Sequence, residues 1–358
     1  MGAKNSSRHL PNDKKKLDTS EKNNSDKITI KFLNNIIDDS FAQYIKRNSF
    51  CIFKSIEDIL YLVYSTKNNS IVFYSMIDCK KIKIITNAHN QHITYFRHFL
   101  DSSNKRDLLL SISLDELNIK IWNVNLFECL LNIEKVYEIG GLHSACFLNF
   151  NNQIYIIAGH ENFNDCENIK VFDLNGNLIK KINNSNNNVN YIDIFYDTPN
   201  NQIYVLVCND DNIKAYDYKF NNLYQFYGNK NKKYFKEKDN YHSYLIINKN
   251  KELIESNTNG TIQIWDFHSA TLLQKIEVRC KDLHCFCFLN NKYLLAGCNK
   301  NDLSLIEIKS GKAIKNFNDH KEEVVEIINI DHPKYGQILI TQGHGEDYIK
   351  LWKIEQNN

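Results

Sequence analysis

The chain has 358 residues, with 44 Lys or Arg against 42 Asp or Glu, so its formal net charge is +2 at pH 7. Such a balance does not predict general attraction to nucleic acid or to an anionic membrane. Only three prolines and 12 glycines occur, which excludes collagen-like and Pro-rich disordered chains, and the apolar fraction of 42% can fill a large core.

The first 26 residues are polar and predict a disordered tail. They contain no apolar segment that could serve as a secretory signal. No apolar run in the chain approaches the roughly 18 residues that cross a bilayer. We therefore expect a cytoplasmic protein.

The tail begins MGAKNS, which matches the N-myristoylation pattern Met-Gly-x-x-x-Ser, with Gly2 as acceptor and Ser6 at the required position. One myristoyl chain gives only marginal membrane binding, with an association constant of about 10⁴ M⁻¹. Each basic residue near an anionic leaflet adds about 1 kcal/mol. Residues 1–16 carry a side-chain balance of +4, from Lys4, Arg8, Lys14, Lys15 and Lys16 against Asp13. Lipid and basic tail together predict salt-sensitive attachment to the cytoplasmic leaflet; the alternative is an unmodified polar tail.

After the tail, one phrase recurs seven times with spacings of 41 to 50 residues. The stretches are SIVFYSM, NIKIWNV, NIKVFDL, NIKAYDY, TIQIWDF, DLSLIEI and YIKLWKI, aligned on Tyr74, Trp122, Phe172, Tyr216, Trp265, Ile306 and Trp352. Apolar residues stand one and three positions before each of these anchors, the alternation of a half-buried strand. Each phrase follows a strand and turn, such as ELIESNTNG, and precedes another strand, such as TLLQKIEV. Four strands per module, joined by turns, predict an all-β protein and exclude a parallel α/β fold.

The period and the terminal Trp-Asp resemble WD40-type repeats, whose four-stranded antiparallel blades form a β-propeller. The resemblance covers residues 27–358 and implies a seven-bladed ring after a tail of residues 1–26. Only six residues follow Trp352, so the last module lacks a fourth strand, whereas KITIKFL at residues 27–33 is a spare strand. In this family the N-terminal strand commonly completes the last blade, and we expect the same closure here.

In WD40-type repeats the third-strand Trp packs inside the blade, and its buried N–H needs a partner. The family network joins it to a second-strand hydroxyl, an acid in the next turn and a His before the first strand. The last module matches with His320, Glu346 and Trp352. His344 stands where the family has Ser or Thr, which implies a rearranged network in this blade.

The other modules keep this network to different degrees. The second offers His89 and Trp122, with Asp115 or Glu116 as the acid, and the fifth keeps Trp265. Phe172 and Ile306, the third and sixth anchors, have no group that hydrogen-bonds. We expect those two blades to depend on apolar packing. The fourth is intermediate, because Tyr216 stands between Asp210 and Asp217.

A long loop, YGNKNKKYFKEKDNYH at residues 227–242, joins the fourth and fifth modules. It alternates basic and aromatic residues, a combination that binds RNA or an acidic peptide through charge and stacking. Its lysines are Lys230, Lys232, Lys233, Lys236 and Lys238. The alternative is a solvated insertion, partly neutralised by Glu237 and Asp239.

Ten cysteines raise the questions of disulfides and zinc. A cytoplasmic chain keeps its thiols reduced, and no Cys-x-x-Cys occurs. The densest group, RCKDLHCFCF, contains Cys280, His284, Cys285 and Cys287, a spacing that does not suit structural zinc. On a strand, Cys285 and Cys287 share one face, so we expect both to be small apolar fillers.

No catalytic arrangement or Gly-rich phosphate loop is apparent. The acid–base pairs His160–Glu161 and His344–Glu346 lie in turns where the family uses polar residues for structure. We predict a non-enzymatic scaffold without cofactor or metal, which binds other proteins and is tethered to a membrane through acylated Gly2. Two other classes are compatible with the sequence: an RNA- or ribonucleoprotein-associated propeller that uses residues 230–238, and a propeller enzyme.

Overall fold

The structure is a computed structural model. It describes residues 27–38, 40–41, 50–113, 115–138, 140–161, 167–184, 188–209, 212–227, 242–247, 251–257, 260–278, 283–298, 303–317 and 319–357. Within these residues it contains strands, turns and one 3₁₀ turn, Thr198–Asn200. No helix among them is long and apolar enough to cross a membrane.

The first strand is separate from the blades that follow it in sequence, and four-stranded blades then succeed one another. The N-terminal strand is β1 (Lys27–Ile37). Blade 1 contains β2 (Phe50–Lys54), β3 (Leu60–Ser65), β4 (Ile71–Ser75) and β5 (Lys80–Ile85). Blade 2 contains β6 (Ile93–Asp101), β7 (Arg106–Ser113), β8 (Asn118–Asn123) and β9 (Glu128–Ile133). Blade 3 contains β10 (Gly141–Phe150), β11 (Gln153–Glu161), β12 (Ile169–Asp173) and β13 (Leu178–Ile182).

The second half of the ring repeats the same arrangement. Blade 4 contains β14 (Val189–Asp197), β15 (Gln202–Asn209), β16 (Asn212–Asp217) and β17 (Asn222–Tyr227). Blade 5 contains β18 (His242–Ile247), β19 (Glu252–Asn257), β20 (Thr261–Asp266) and β21 (Thr271–Glu277). Blade 6 contains β22 (Leu283–Phe288), β23 (Tyr293–Cys298), β24 (Leu303–Glu307) and β25 (Lys312–Phe317). Blade 7 contains β26 (Val324–His332), β27 (Gly336–Gly343) and β28 (Tyr348–Asn357).

Each blade is an antiparallel sheet; the strands of blades 1 to 6 pair in chain order, and blade 7 has the order β26-β27-β28-β1. The molecule is therefore a seven-bladed β-propeller, as the seven aligned phrases predicted. The closure is confirmed as well, since β1 is the fourth strand of blade 7 and pairs with β28 from Lys27↔Asn357 to Ile37↔Tyr348. A bulge between Phe32 and Asn34 interrupts this register.

Asp38, directly after β1, fixes the junction between blades 7 and 1. Its carboxylate accepts hydrogen bonds from the Tyr64 hydroxyl at 2.5 Å and the Ser40 hydroxyl at 2.6 Å, and an ion pair from Lys81 at 2.8 Å. Burial alone would raise the pKa of Asp38, but these donors outweigh it and lower the pKa to about 2. The closing strand is thus held by a buried charge in addition to its backbone ladder.

Burial falls from the second strand of a blade to its outer strand. In blade 1, every side chain of β3 is buried, whereas five of the six side chains of β5 are exposed. The apolar clusters lie between neighbouring blades, and one of them joins Ile338 and Ile340 of blade 7 to Leu62 of blade 1. The core is therefore a ring of interblade layers with a partly polar rim.

The hairpin between the third and fourth strands places one residue in the left-handed region in each of six blades. These residues, with φ between 51° and 84°, are Cys79, Phe127, Gly176, Phe220, Ala270 and Gly311. Only two of them are glycine, the residue that adopts this conformation without a steric cost.

The cysteines largely follow the expectation. Cys285 and Cys287 of β22 pack on the same apolar cluster, which confirms their interpretation as fillers. The prediction of reduced thiols is wrong for Cys298, a buried residue at the end of β23 that is disulfide-bonded. Sequence spacing does not show which cysteines the fold brings together.

Candidate functional site: blade networks and an exposed aromatic surface

Blade 7 contains a complete hydrogen-bonded network inside the sheet. Trp352 on β28 donates its indole N–H to Thr341 Oγ1 on β27 at 2.8 Å. His320 Nε2 lies 2.8 Å from the same hydroxyl, and His320 Nδ1 lies 2.5 Å from Glu346 Oε2. All four side chains are buried. The structure thus brings together His320, Glu346 and Trp352 and adds a hydroxyl that the sequence analysis had not assigned.

The expected role of His344 is wrong. Its side chain is exposed, and only its backbone N–H is used, in a bond to the Glu323 carbonyl at 2.8 Å. The hydroxyl comes from Thr341, 11 residues before Trp352, because the partner of a third-strand indole must stand on the adjacent strand rather than in the turn. The family network is therefore present without rearrangement.

Glu346 anchors the polar end of this network. Burial would raise the pKa of Glu346, but hydrogen bonds from His320, the Tyr348 hydroxyl at 2.6 Å and the Lys321 N–H at 2.6 Å lower it. A carboxylate only accepts hydrogen bonds, so Nδ1 of His320 carries the proton that points to Glu346. The arrangement orients the imidazole toward Thr341.

Blade 2 repeats the network with Ser111 as the hydroxyl. Trp122 donates to Ser111 Oγ at 2.8 Å, His89 Nε2 lies 2.8 Å from that oxygen, and His89 Nδ1 lies 3.2 Å from Glu116. Of the two acids left open by the sequence, Glu116 takes the position. Burial lowers the pKa of His89 to about 4, against the opposing effect of Glu116. Neutral His89 therefore donates through Nδ1 and accepts the Ser111 proton through Nε2.

In blade 5 a buried glutamate side chain, rather than a hydroxyl, accepts the hydrogen bond of the third-strand indole. Trp265 donates its indole N–H to Glu255 Oε1 at 2.9 Å, where blades 2 and 7 have a hydroxyl. Both side chains are buried. The Trp265 indole N–H therefore keeps a buried acceptor although the hydroxyl is absent.

Blades 3 and 4 replace the His with other polar residues. In blade 3, Tyr137 Oη lies 3.0 Å from the carbonyl oxygen of Ala158, and its ring stacks on His160 at 3.8 Å. In blade 4, Tyr216 donates its hydroxyl to Asn184 Oδ1 at 3.0 Å. Sequence reasoning missed Tyr137 and Asn184 because neither resembles the residue it replaces. His160 lies on β11 rather than in a turn, and its ring packs on Tyr137.

Four lysines form a further contact that sequence reasoning missed. Each stands two residues before an anchor and donates Nζ to a backbone carbonyl in the loop before the first strand of its blade. The pairs are Lys120 with Ala88, Lys170 with Val136, Lys214 with Asn184, and Lys350 with Asp319. The signal was present in the sequence as the repeated Lys of NIKIW, NIKVF, NIKAY and YIKLW. These networks stabilise blades, so a functional surface must be sought outside them.

Two predicted sites fall outside the described residues. They are the acylation site Gly2 and the basic loop with Lys230, Lys232, Lys233, Lys236 and Lys238. Both remain predictions from the sequence.

Partly exposed aromatic side chains lie on the described surface where blades 3 and 4 meet. Tyr196 and Tyr218 are 42% and 37% exposed. Phe150 stacks on Tyr218 with 4.0 Å between ring centroids, and the N–H of Asn149 donates to the Tyr196 hydroxyl at 3.1 Å. We call Phe150, Tyr196, Tyr218 and Phe220 the aromatic seam. Partly exposed aromatic rings are typical of surfaces that bind other proteins.

The charged side chains beside the aromatic seam make local contacts. Exposed Lys180 donates to the Lys219 carbonyl at 2.6 Å and lies 5.5 Å from the Phe220 ring centroid. The carboxylates of Asp173 and Asp217 accept backbone and amide hydrogen bonds within their own turns. The Lys180 ammonium group is thus held between a backbone carbonyl and an aromatic ring, while the two carboxylates face the turn backbone.

No family profile and no curated protein matches this sequence. Solved structures do resemble it. Raptor from Chaetomium thermophilum superposes with a TM-score of 0.67 at 13% identity, over 92% of this chain and 29% of that one. The computationally designed Ika8 protein superposes with a TM-score of 0.59 at 14% identity, over 88% of this chain and 98% of that one. At such low identity the likeness shows the fold alone, and that fold is a seven-bladed propeller that fits the WD40 type.

Proposed function

We propose that the protein is a non-enzymatic scaffold that binds partner proteins, with the aromatic seam as one of its docking surfaces. The seam carries the proposal because Tyr196 and Tyr218 leave large apolar rings in solvent, and such rings dominate binding energy when a partner buries them. The Phe150–Tyr218 stack holds two of the rings in place, so little side-chain freedom is lost on binding.

The test is partner capture in cells with the full chain and a Tyr196→Ser/Tyr218→Ser variant. The matched control is Leu272→Ser/Leu273→Ser, which removes two residues of similar exposure from the outer strand of blade 5. We expect the seam variant to lose specific partners that parent and control retain. Identical partner sets in all three, with equal melting temperatures, would remove the seam from the proposal.

The second part of the proposed function is a membrane tether through myristoylated Gly2. The supporting observations are the MGAKNS sequence and the basic residues of the tail. Myristate alone binds marginally, and the tail charges supply the second signal that stable attachment requires.

Its test is metabolic labelling with a clickable myristate analogue in eukaryotic cells, followed by membrane fractionation of the parent and Gly2→Ala. We expect label and membrane association on the parent and neither on the variant. A soluble, unlabelled parent would leave a scaffold without a lipid anchor.

A further inference from the structure

The rim of the propeller is electrostatically uneven. Three consecutive blades, 6, 7 and 1, have β25, β1 and β5 as their outer strands. These strands contain seven lysines and no Asp or Glu: Lys27, Lys31, Lys80, Lys81, Lys83, Lys312 and Lys315. Two of them are paired with carboxylates just outside these strands, Lys31 with Glu355 on β28 and Lys81 with Asp38. The outer strands of blades 2 to 5 contain three lysines and two glutamates. Since the whole chain is only +2, the remaining residues sum to a negative charge.

Exposed apolar side chains accompany these lysines. Ile37 is 67% exposed, Ile314 54%, Phe32 52% and Ile84 45%, which places an apolar group on each of the three strands. We call β25, β1 and β5 together the basic rim. Lysines with exposed aliphatic and aromatic side chains between them are the composition of surfaces that lie at a bilayer interface.

The basic rim also contains the point where the N-terminal tail joins the propeller. Residues 1–26 lead into β1, its middle strand. The Lys81–Asp38 ion pair at 2.8 Å links the end of β1 to β5, so the strands of blades 7 and 1 form one continuous surface there. A lipid on Gly2 would draw this side of the ring toward the membrane.

We propose that the basic rim is a lipid-contact surface that lays the propeller edge against an anionic bilayer. The inference deepens the proposed membrane tether and rests on it for the biological setting. Each exposed lysine within the surface potential contributes about 1 kcal/mol, and the aliphatic groups add burial among the headgroups. The propeller faces, including the aromatic seam, then remain open to partner proteins.

The experiment uses full-length protein made in bacteria, which lacks the acyl group, with phosphatidylcholine vesicles with and without phosphatidylserine. Lys80→Gln/Lys83→Gln removes two charges from β5 and leaves the Lys81–Asp38 pair intact. Lys180→Gln/Lys181→Gln on β13 is the matched control, and both variants keep the tail. We expect binding only to the anionic vesicles, about 30-fold weaker for the β5 variant and unchanged for the control.

Equal binding by the two variants would overturn the proposal and assign the affinity to the tail. The proposal would also be overturned if the parent protein did not bind anionic vesicles. The same holds if the parent bound single-stranded RNA but not vesicles. The myristoylation hypothesis is tested separately: if it is wrong, the parent carries no myristate label on Gly2 in cells. A second variant, Ile82→Gln/Ile84→Gln, removes the two exposed isoleucines of β5, of which Ile82 is 37% exposed, and is expected to weaken binding without changing its salt dependence.

Discussion

Blades 7 and 6 are neighbours with the same strand pairing, yet their third strands are held in different ways. Trp352 of blade 7 donates a buried hydrogen bond to Thr341, which also contacts His320, whereas Ile306 of blade 6 belongs to an apolar cluster. The backbone geometry therefore does not require the polar network. In the network, removal of one side chain costs additional stability, because its buried hydrogen-bond partners are then left unsatisfied.

The largest expected effect is that of Trp352→Ala. Loss of the buried indole costs about 3–5 kcal/mol of unfolding free energy, and the value should lie at the upper end because Thr341 and His320 lose a partner. Ile306→Ala is the control and should cost about 3 kcal/mol, from packing alone. Urea denaturation of the full chain measures both. Equal losses would contradict the difference between the two blades.

Next in size is Thr341→Val, which keeps the volume and removes only the hydroxyl. We expect a loss of about 2 kcal/mol, since the Trp352 N–H and His320 Nε2 both become unsatisfied. Thr341→Ser should recover most of it, and Thr29→Val, at a partly buried position on β1, is the control for the Thr-to-Val change itself. If Thr341→Val unfolds at the parent's urea midpoint, the network carries no stability.

Asp38 extends the comparison to the junction between blades 7 and 1. Its pKa is about 2 in the fold against an ordinary 3.8, so its stabilisation is present above about pH 4 and is lost as the pH falls through 2. Asp38→Asn should lower stability by about 2 kcal/mol at pH 7, and the difference from the parent should vanish near pH 2. Exposed Asp58, paired with Lys54, supplies the control Asp58→Asn, for which we expect no change. A pH-independent difference would assign the effect to shape rather than charge.

The smallest expected effect concerns the left-handed hairpin residues. Blades 3 and 6, whose anchors lack a hydrogen-bonding group, have glycine there, while blade 5 has Ala270 at φ 51°. Ala270→Gly should stabilise the protein by about 0.5–1 kcal/mol, because relief of left-handed strain exceeds the added freedom of the unfolded chain. Thermal melting checks it, with Ala296→Gly in β23 as a control that should destabilise. A lower melting temperature for Ala270→Gly would mean that the turn is unstrained.

The sequence predicted the ring because each strand repeats its own apolar alternation, and because the spare KITIKFL matched the strand missing after Trp352. It also placed His320, Glu346 and Trp352 in one network. It misplaced the hydroxyl, since Thr341 and His344 are three residues apart and only strand register decides which faces the indole. Tyr137 and Asn184 could not be predicted, because the loops before the first strand of a blade have no fixed length. The repeated residues do not predict function, because they are the residues that pack inside the blades.

The closing strand has a consequence for synthesis on the ribosome. Residue Lys27 pairs with Asn357, so β1 precedes its partner by nearly the whole chain. At translation rates of 5–20 residues per second, it waits on the order of tens of seconds with both edges unpaired. During that interval KITIKFL is an apolar edge that can join another nascent chain. A chain that stops before β28 cannot cover this edge, so blade 7 closes only after nearly the whole propeller has been synthesised.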